Sequence, residues 1–469
     1  MSTLVTEVSE KKVFRQQDFS IPYVLTAFFV CSWMVAFYTE SAAVGALITI
    51  GLLAFQFTSY TNCLSVLLMS LWIPFFDLLM ADVSRALDVH RLFFLPFLLL
   101  SFRQPKLRIL TTNNKLLWLV LLSLLLLQFS ASFQILFRGM PLSAEQENVS
   151  VFQILAYVYD NVIILMLLYF SYTRLSLERL NYVFNLIIFL TALEALAILH
   201  LTLLNFELLT RFRSDSILWQ NPYFGHKNDW SMVFIFVLLG AVIRNTYQNR
   251  NRQFYLISIG IILLGISVSL SRQAYVWALG VFILSALFSG KFKIFGYLTA
   301  LLIVLLLIQP DFLIERMSGM LNASNQEEFQ SLNRKISDMA LDQAASNFTI
   351  IPRMVYEDWE YNWSEGFWNG FLHQQGILGL GFVIFLYGAL FMRFWNLSRM
   401  PNRRLAAIAQ MGMIMLILMF FANFTRRHTH LMHYKGEIGQ IGLLAMFIWL
   451  YAETAARYIR AKKDDYLHL

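Results

Sequence analysis

The residues of this chain best suited to chemistry are cations that interrupt strongly apolar runs. Arg272 is the clearest case, because it lies in GISVSLSRQAYVWALGVFILS with apolar residues on both sides. A guanidinium inside a bilayer costs about 2.5–3.5 kcal/mol unless it is paired or faces water. Arginine also holds phosphate and carboxylate groups through two parallel hydrogen bonds. Arg272 is therefore a candidate for binding an anionic ligand, and snorkelling of its side chain to the lipid headgroups is the alternative.

Histidines form a second chemical group, since their usual pKa of about 6.5 suits proton abstraction near neutral pH. The segment TRRHTHLMHYKGE carries three of them beside Arg426 and Arg427. A metal site is disfavoured there, because Glu437 is the only acidic residue at a fixed spacing and no cysteine accompanies it. A solvated turn is the alternative to a catalytic or binding role for these histidines. The candidate general bases are His428, His430, His373 and, ranked behind these three, His226, which adjoins the cation Lys227.

Composition identifies the class of protein that must position these residues. Hydrophobic residues make up 58% of the chain and charged residues 14%, whereas soluble domains carry roughly 25% charged residues. Apolar runs of about 17 residues or more recur along the whole length, which is typical of bilayer-spanning helices. The sequence therefore predicts an all-α, polytopic bundle of about 12–14 spans. The predicted spans are 21–37, 41–57, 62–80, 91–102, 115–137, 151–172, 181–204, 229–243, 254–270, 272–289, 292–309, 367–392, 404–424 and 437–457.

The distribution of lysine and arginine predicts the orientation of the bundle. With the N-terminus in the cytoplasm, 22 of the 36 basic residues fall in short segments on the cytoplasmic side, as the positive-inside rule requires. This excess of cations therefore does not indicate nucleic-acid binding. The predicted organisation is a cytoplasmic N-terminal tail 1–20, transmembrane helices 21–309, a large outside loop 310–366, C-terminal transmembrane helices 367–457 and a cytoplasmic tail 458–469. The only cysteines, Cys31 and Cys63, give no disulfide framework.

The long polar segment 310–366 indicates a function on the outside, because turning between spans needs only a few residues. Cations also gather on this side, where the topology rule disfavours them. Such a distribution predicts an anionic ligand, a phosphate or an acidic sugar, although solvated loop charges are the alternative. The candidate binding residues on this side are Arg211, Arg213, His226, Lys227, Arg316, Arg334, Arg426 and Arg427.

Four segments, in the same order, resemble the O-antigen ligase/polymerase family of bacterial membrane glycosyltransferases. SLSRQAYVWALGVFILS is similar to its Ser-Arg-small-aromatic signature, and WQNPYFGHKNDWSMVFIFVLLGAVI to its Asn-Pro-Asn entry into a span. RMSGML followed by SLNRKISDMALDQAASN resembles its loop with two spaced arginines, and WNGFLHQQGILGLGFVIF its closing motif. The resemblance covers about residues 215–395.

The resemblance implies a glycosyltransferase-C-like, metal-independent, inverting enzyme without a cofactor, acting on an undecaprenyl-diphosphate-linked sugar at the periplasmic face of the bacterial inner membrane. Arg272 would meet the donor diphosphate, and Arg316 and Arg334 correspond to the spaced loop arginines. Asn369 corresponds to the asparagine of the closing motif, whereas Arg211 and Arg213 match a further basic position more loosely. Membrane lipid, a chain-length regulator and a flippase are the expected partners, and nucleic acid is not.

The closing motif departs from the family pattern at the residue expected to act as base. The family's His-Asn pair is Trp368-Asn369 here, and Gln375 replaces the usual acidic residue. His373 lies five residues after Trp368, which on a helix means about 140° around the axis and about 7.5 Å along it. His373 is therefore not a simple substitute for the missing histidine.

Three functions remain open from the sequence. A polysaccharide polymerase is favoured over a ligase that transfers a finished glycan to a lipid A core or another acceptor. A lipid-linked oligosaccharide flippase is the alternative from another class, but it explains neither the long loop nor Arg272. Carboxylates within the spans are expected to pair with an arginine, proton relay being the alternative. Glu194, in the middle of the predicted span that contains LTALEALAIL, is the one most expected to line a cavity.

Overall fold

In the residues it describes, the computed structural model contains twelve helices and one short β-hairpin. These residues are 23–38, 42–72, 89–104, 151–204, 220–221, 225–247, 252–269, 272–290, 367–422 and 440–467, with isolated helical positions between 115 and 122 and between 295 and 303. The helices are α1 (Tyr23–Tyr38), α2 (Ala42–Gln56), α3 (Tyr60–Trp72), α4 (Val89–Arg103), α5 (Val151–Arg174), α6 (Leu177–Leu204), α7 (Lys227–Tyr247), α8 (Arg252–Val268), α9 (Arg272–Ser289), α10 (Phe367–Ser398), α11 (Arg403–Ala422) and α12 (Gln440–Leu467).

The apolar composition of these helices agrees with a membrane protein. An α-helix satisfies its own backbone hydrogen bonds, which a segment in hydrocarbon must do. Among the described residues, three stretches are long and apolar enough to cross a membrane, by length and composition: Leu177–Leu204, Ile377–Ser398 and Leu405–Ala422. Several further apolar helices are shorter, including Tyr60–Trp72 and Arg252–Val268. The predicted helical class is confirmed. The predicted span 292–309, most of 115–137 and the loop 310–366 lie outside the described residues.

The last helix extends beyond its predicted end. Helix α12 continues past the predicted span 437–457 and through most of the predicted tail 458–469, as far as Leu467. Alanine, arginine and lysine in AARYIRAKKDD favour helix, and cations near a helix C-terminus interact favourably with its dipole. The chain after the predicted span is therefore an ordered extension of the last helix over most of its length.

Helix α7 lies at the centre of the described bundle, where it packs against α6, α8, α9, α11 and α12. Its residues from Trp230 to Ile243 are almost all buried. Small residues allow close approach of the helices around it: a Cβ added to Gly265 of α8 would lie 2.9 Å from the Ala195 Cβ of α6 and 2.8 Å from the Phe234 ring of α7. Such close contacts at small residues are typical of helix packing in membranes.

Side-chain contacts show which helix ends lie together. Tyr60 at the start of α3 meets Ser101 near the end of α4, with 3.0 Å between the hydroxyl oxygens. Arg244 near the end of α7 donates to Asn181 and Asn185 near the start of α6. We call this side of the bundle the arginine end, because Arg174, Arg179, Arg244, Arg393 and Arg457 lie there. We call the opposite side, where the hairpin leads into α7, the hairpin end.

Candidate functional site

The hairpin end collects the described backbone positions that were predicted to act on the substrate. Helices α7, α9 and α10 begin there, at Lys227, Arg272 and Phe367. Helix α7 packs against α9 and α11, and α11 packs against α9 and α10. Residues from three separate predicted motifs are thus brought to one end of one bundle.

Arg272 is the first residue of α9. The entry into this helix is fixed against its neighbour by Tyr275, whose hydroxyl donates to the carbonyl oxygen of Ser267 near the end of α8 at 2.9 Å. Ser267 and Ser269 are buried, and Ser269 Oγ donates to the carbonyl of Ile266 at 2.7 Å. The first turn of α9 is therefore anchored on α8 through Tyr275, which limits where Arg272 begins its helix.

A β-hairpin leads into α7. Gln220 pairs with His226 and Asn221 with Gly225 in antiparallel register, and α7 starts at Lys227. The backbone of His226 is held in this strand pair directly before a helix N-terminus. In the motif WQNPYFGHKNDW, the described residues are the paired strands Gln220–Asn221 and Gly225–His226, followed by the start of α7.

The start of the two helices has an electrostatic consequence. Backbone N–H groups at a helix N-terminus carry partial positive charge, so a cation there is disfavoured and an anion favoured. Both α7 and α9 nevertheless begin on a cation, Lys227 and Arg272 respectively. An anion bound at such a helix start would gain from the cation and from the N-terminal N–H groups together.

Asn369 and His373 lie in the first two turns of α10, which begins at Phe367. Trp368 and His373 both lie on α10, so the two positions face directions about 140° apart around this helix. His373 does not occupy the place that a histidine at position 368 would have. The general base stays a prediction among the named histidines.

The other residues predicted for the site fall in parts of the chain that the structure does not describe. They are Arg211, Arg213, Arg316, Arg334, Arg426, Arg427, His428 and His430. Their placement relative to Arg272 therefore stays a prediction.

Comparison with known proteins gives no family for this chain. No protein-family model matches, and searches of curated proteins and of solved structures found no match. The resemblance to the O-antigen ligase/polymerase family thus remains a proposal that rests on the sequence motifs.

Glu194 on α6 is almost completely buried, with 2% of its surface exposed. It lies ten residues before the end of α6, about 15 Å along the helix from the hairpin end. Its Oε2 has no hydrogen-bond partner, and no cation among the described residues pairs with it. Among the described residues Glu194 thus has no pairing arginine, and its expected place in a cavity lining stays a prediction.

The contacts of Arg244 at the arginine end were not predicted from the sequence. Arg244 is 4% exposed, and its guanidinium carbon lies 4.5 Å from the Phe184 ring centroid and 5.2 Å from that of Tyr451. In the sequence, Arg244 is one of the 22 basic residues that predict the orientation of the bundle, and no further role was predicted for it. A signal was present in NYVFN, which places Asn181 and Asn185 one helical turn apart on α6.

Proposed function

We propose that this protein is a bacterial surface-polysaccharide polymerase. It would transfer a growing glycan from undecaprenyl diphosphate onto another lipid-linked repeat unit at the periplasmic face of the inner membrane. The observation that carries the proposal is the convergence of Lys227, Arg272 and Asn369 at the hairpin end. These positions come from three motifs with family resemblance, and the arginine end lies on the opposite side of the bundle.

The proposed chemistry is direct displacement with inversion at the sugar carbon. Arg272, with Lys227 and the loop residues Arg211 and Arg213, would neutralise the diphosphate as the bond to the sugar breaks. A histidine on the same side would accept the proton of the acceptor hydroxyl. The loop 310–366 would cover the lipid-linked sugars and exclude water, which would otherwise hydrolyse the donor.

The orientation of the bundle supports this reaction. Cytoplasmic ends of membrane helices carry an excess of lysine and arginine, so the arginine end is assigned to the cytoplasm and the hairpin end to the periplasm. Both chain termini are then cytoplasmic.

Two experiments separate this function from its alternatives. A deletion strain should accumulate single lipid-linked repeat units and lose long polymer, and the wild-type gene should restore it. A ligase defect would instead leave long polymer on undecaprenyl diphosphate. A flippase defect would leave single units on the cytoplasmic side, where an added periplasmic glycosidase does not reach them. Either pattern would overturn the polymerase assignment.

A further inference from the structure

Two arginines at the arginine end share one glutamine, and neither has a carboxylate partner in the part of the chain that the structure describes. Arg174 Nη1 donates to the carbonyl oxygens of Phe102 and Gln104 at the end of α4. Arg179 Nη1 donates to the Gln104 side-chain oxygen at 3.2 Å. No ion pair joins either arginine to an acidic residue in the described part of the chain. Two positive charges therefore face one residue without a full negative charge to offset them.

The Arg174 guanidinium is buried and still has an unused donor. Only 8% of Arg174 is exposed, and its Nε has no hydrogen-bond partner among the residues that the structure describes. A buried charged group is expected to satisfy its donors, because leaving one unpaired costs roughly 1–3 kcal/mol or more. The carbonyl groups at the α4 C-terminus account for the hydrogen bonds of Arg174 Nη1, but they do not account for the burial of its Nε.

Aromatic rings hold both guanidinium groups in place. The Arg174 guanidinium carbon lies 5.3 Å from the Phe170 ring centroid, and that of Arg179 lies 5.1 Å from the Tyr60 ring. Phe97 of α4 contacts both rings, with centroid distances of 6.3 Å to Phe170 and 5.9 Å to Tyr60. The guanidinium groups of Arg174 and Arg179 are thus held against a set of contacting aromatic rings and are not free surface charges.

Two helix N-termini add positive potential at the same place. Helix α6 begins just after Ser176, whose Oγ accepts the Arg179 backbone N–H at 3.3 Å. Helix α3 begins just after Ser59, whose Oγ accepts the Asn62 backbone N–H at 3.1 Å. Such termini favour anions.

The nearest carboxylate in sequence lies on another side of α6. Glu178 is exposed. Burial raises the pKa of the Tyr458 phenol on α12, and the Glu178 carboxylate raises this pKa further. Because consecutive helix residues face directions about 100° apart, Glu178 and the neighbouring Arg179 do not share one face of α6.

An apolar stripe on α4 runs up to this pair of arginines. Leu95, Leu99 and Phe102 are 50%, 59% and 62% exposed, and their spacing puts them on one helix face. In a bilayer this face contacts acyl chains, and it ends two residues before Gln104. An apolar stripe that leads to paired cations matches the two parts of a phospholipid.

We propose that the junction of α3, α4, α5 and α6 binds an anionic phospholipid of the cytoplasmic leaflet. Arg174 and Arg179 hold its phosphate, and an acyl chain lies along Leu95, Leu99 and Phe102. This site is at the opposite end of the bundle from the proposed glycan chemistry and does not depend on it.

The test uses the purified full-length protein in detergent. Phosphatidylglycerol should raise its unfolding temperature in a concentration-dependent manner, because a ligand that binds only the folded state stabilises it. Phosphatidylcholine and inorganic phosphate at the same concentration should have little effect. Arg179→Gln should weaken the apparent affinity for phosphatidylglycerol roughly ten-fold or more.

The matched control is Arg399→Gln, which removes the same charge at the same end. Arg399 is exposed, with its guanidinium carbon 4.6 Å from the Trp395 ring, and this variant should keep wild-type affinity. Leu99→Asn keeps both arginines and should also weaken binding, which tests the acyl contact separately. Equal stabilisation by phosphatidylcholine or by inorganic phosphate would overturn the proposal, and so would an equal loss in Arg399→Gln.

Discussion

Arg393 of α10 and Glu453 of α12 form a bidentate ion pair inside the bundle. Arg393 Nε lies 2.5 Å from Glu453 Oε1, and Nη2 lies 2.8 Å from Oε2. The exposed fractions of the two side chains differ sharply, at 27% for Arg393 and 1% for Glu453. This pair ties the helix that follows the predicted loop to the last helix of the chain.

The difference in exposure predicts an asymmetric response to mutation. Arg393→Gln leaves a buried carboxylate without its cation, which should cost about 3–5 kcal/mol. Glu453→Gln leaves an arginine that still reaches water, so its cost should be smaller. The measurement is thermal unfolding of both purified variants and of the double variant, in which the two losses should not add. Equal and additive losses would show that the two side chains do not act as a pair.

Replacing Glu194 by glutamine should affect the stability of the protein in the opposite direction to replacing Glu453 by glutamine. Glu194 is buried without a cation among the described residues, so no opposite charge there offsets the desolvation cost of its carboxylate. Glu194→Gln removes the ionisable group and keeps the volume. This variant should be at least as stable as the wild type, whereas Glu453→Gln should be less stable, in the same unfolding assay. A loss of stability in Glu194→Gln would show that its carboxylate has a structural partner.

Arg244 should not tolerate lysine. Its planar guanidinium lies near the rings of Phe184 and Tyr451 and donates to two asparagines, and an ammonium group reproduces neither feature. Arg244→Lys should lower stability by about 1–3 kcal/mol. Arg399→Lys is the control, because Arg399 is exposed and covers a single ring, and its unfolding temperature should change little. Comparable losses in both variants would contradict a special role for the Arg244 environment.

The sequence predicted the helices better than their contacts. Helix α9 was expected at 272–289 and occurs at Arg272–Ser289, because an apolar run bounded by polar residues defines a membrane helix by length alone. The neighbours of Arg244 depend on how α6, α7 and α12 rotate about their axes, and hydropathy carries no such information. The loop residues Arg316, Arg334, His428 and His430 lie outside the described residues, so their roles stay predictions.

Orientation in the membrane gives a prediction that is independent of chemistry. The arginine end should be cytoplasmic and the segment 310–366 periplasmic. Alkaline phosphatase fused after residue 340 should be active, since this enzyme folds only in the periplasm, and a fusion after residue 469 should be inactive. The reverse pattern would invert the bundle and place the proposed site on the wrong side of the membrane.

The general base is tested by replacing each candidate histidine. His428 and His430 rank first because nearby Arg426 and Arg427 would favour the neutral imidazole by like-charge repulsion. Glutamine at the residue that acts as base should lower polymer formation roughly 10²–10⁴-fold. His373→Gln and His226→Gln complete the set, with polymer length on whole cells as the readout. Wild-type polymer in all four variants would exclude histidine as the base.

The most direct test of the proposed reaction is polymer formation from a lipid-diphosphate-linked repeat unit by purified Arg272 variants. Arg272→Ala should lose nearly all activity. Arg272→Lys should lose most of it, because lysine keeps the charge but not the two parallel hydrogen bonds. Arg252→Ala is the matched control, since Arg252 is also the first residue of a helix, is exposed, and lies at the arginine end. We predict full polymer length for Arg252→Ala and almost none for Arg272→Ala. Wild-type polymer from a folded Arg272→Ala protein would contradict the proposed mechanism.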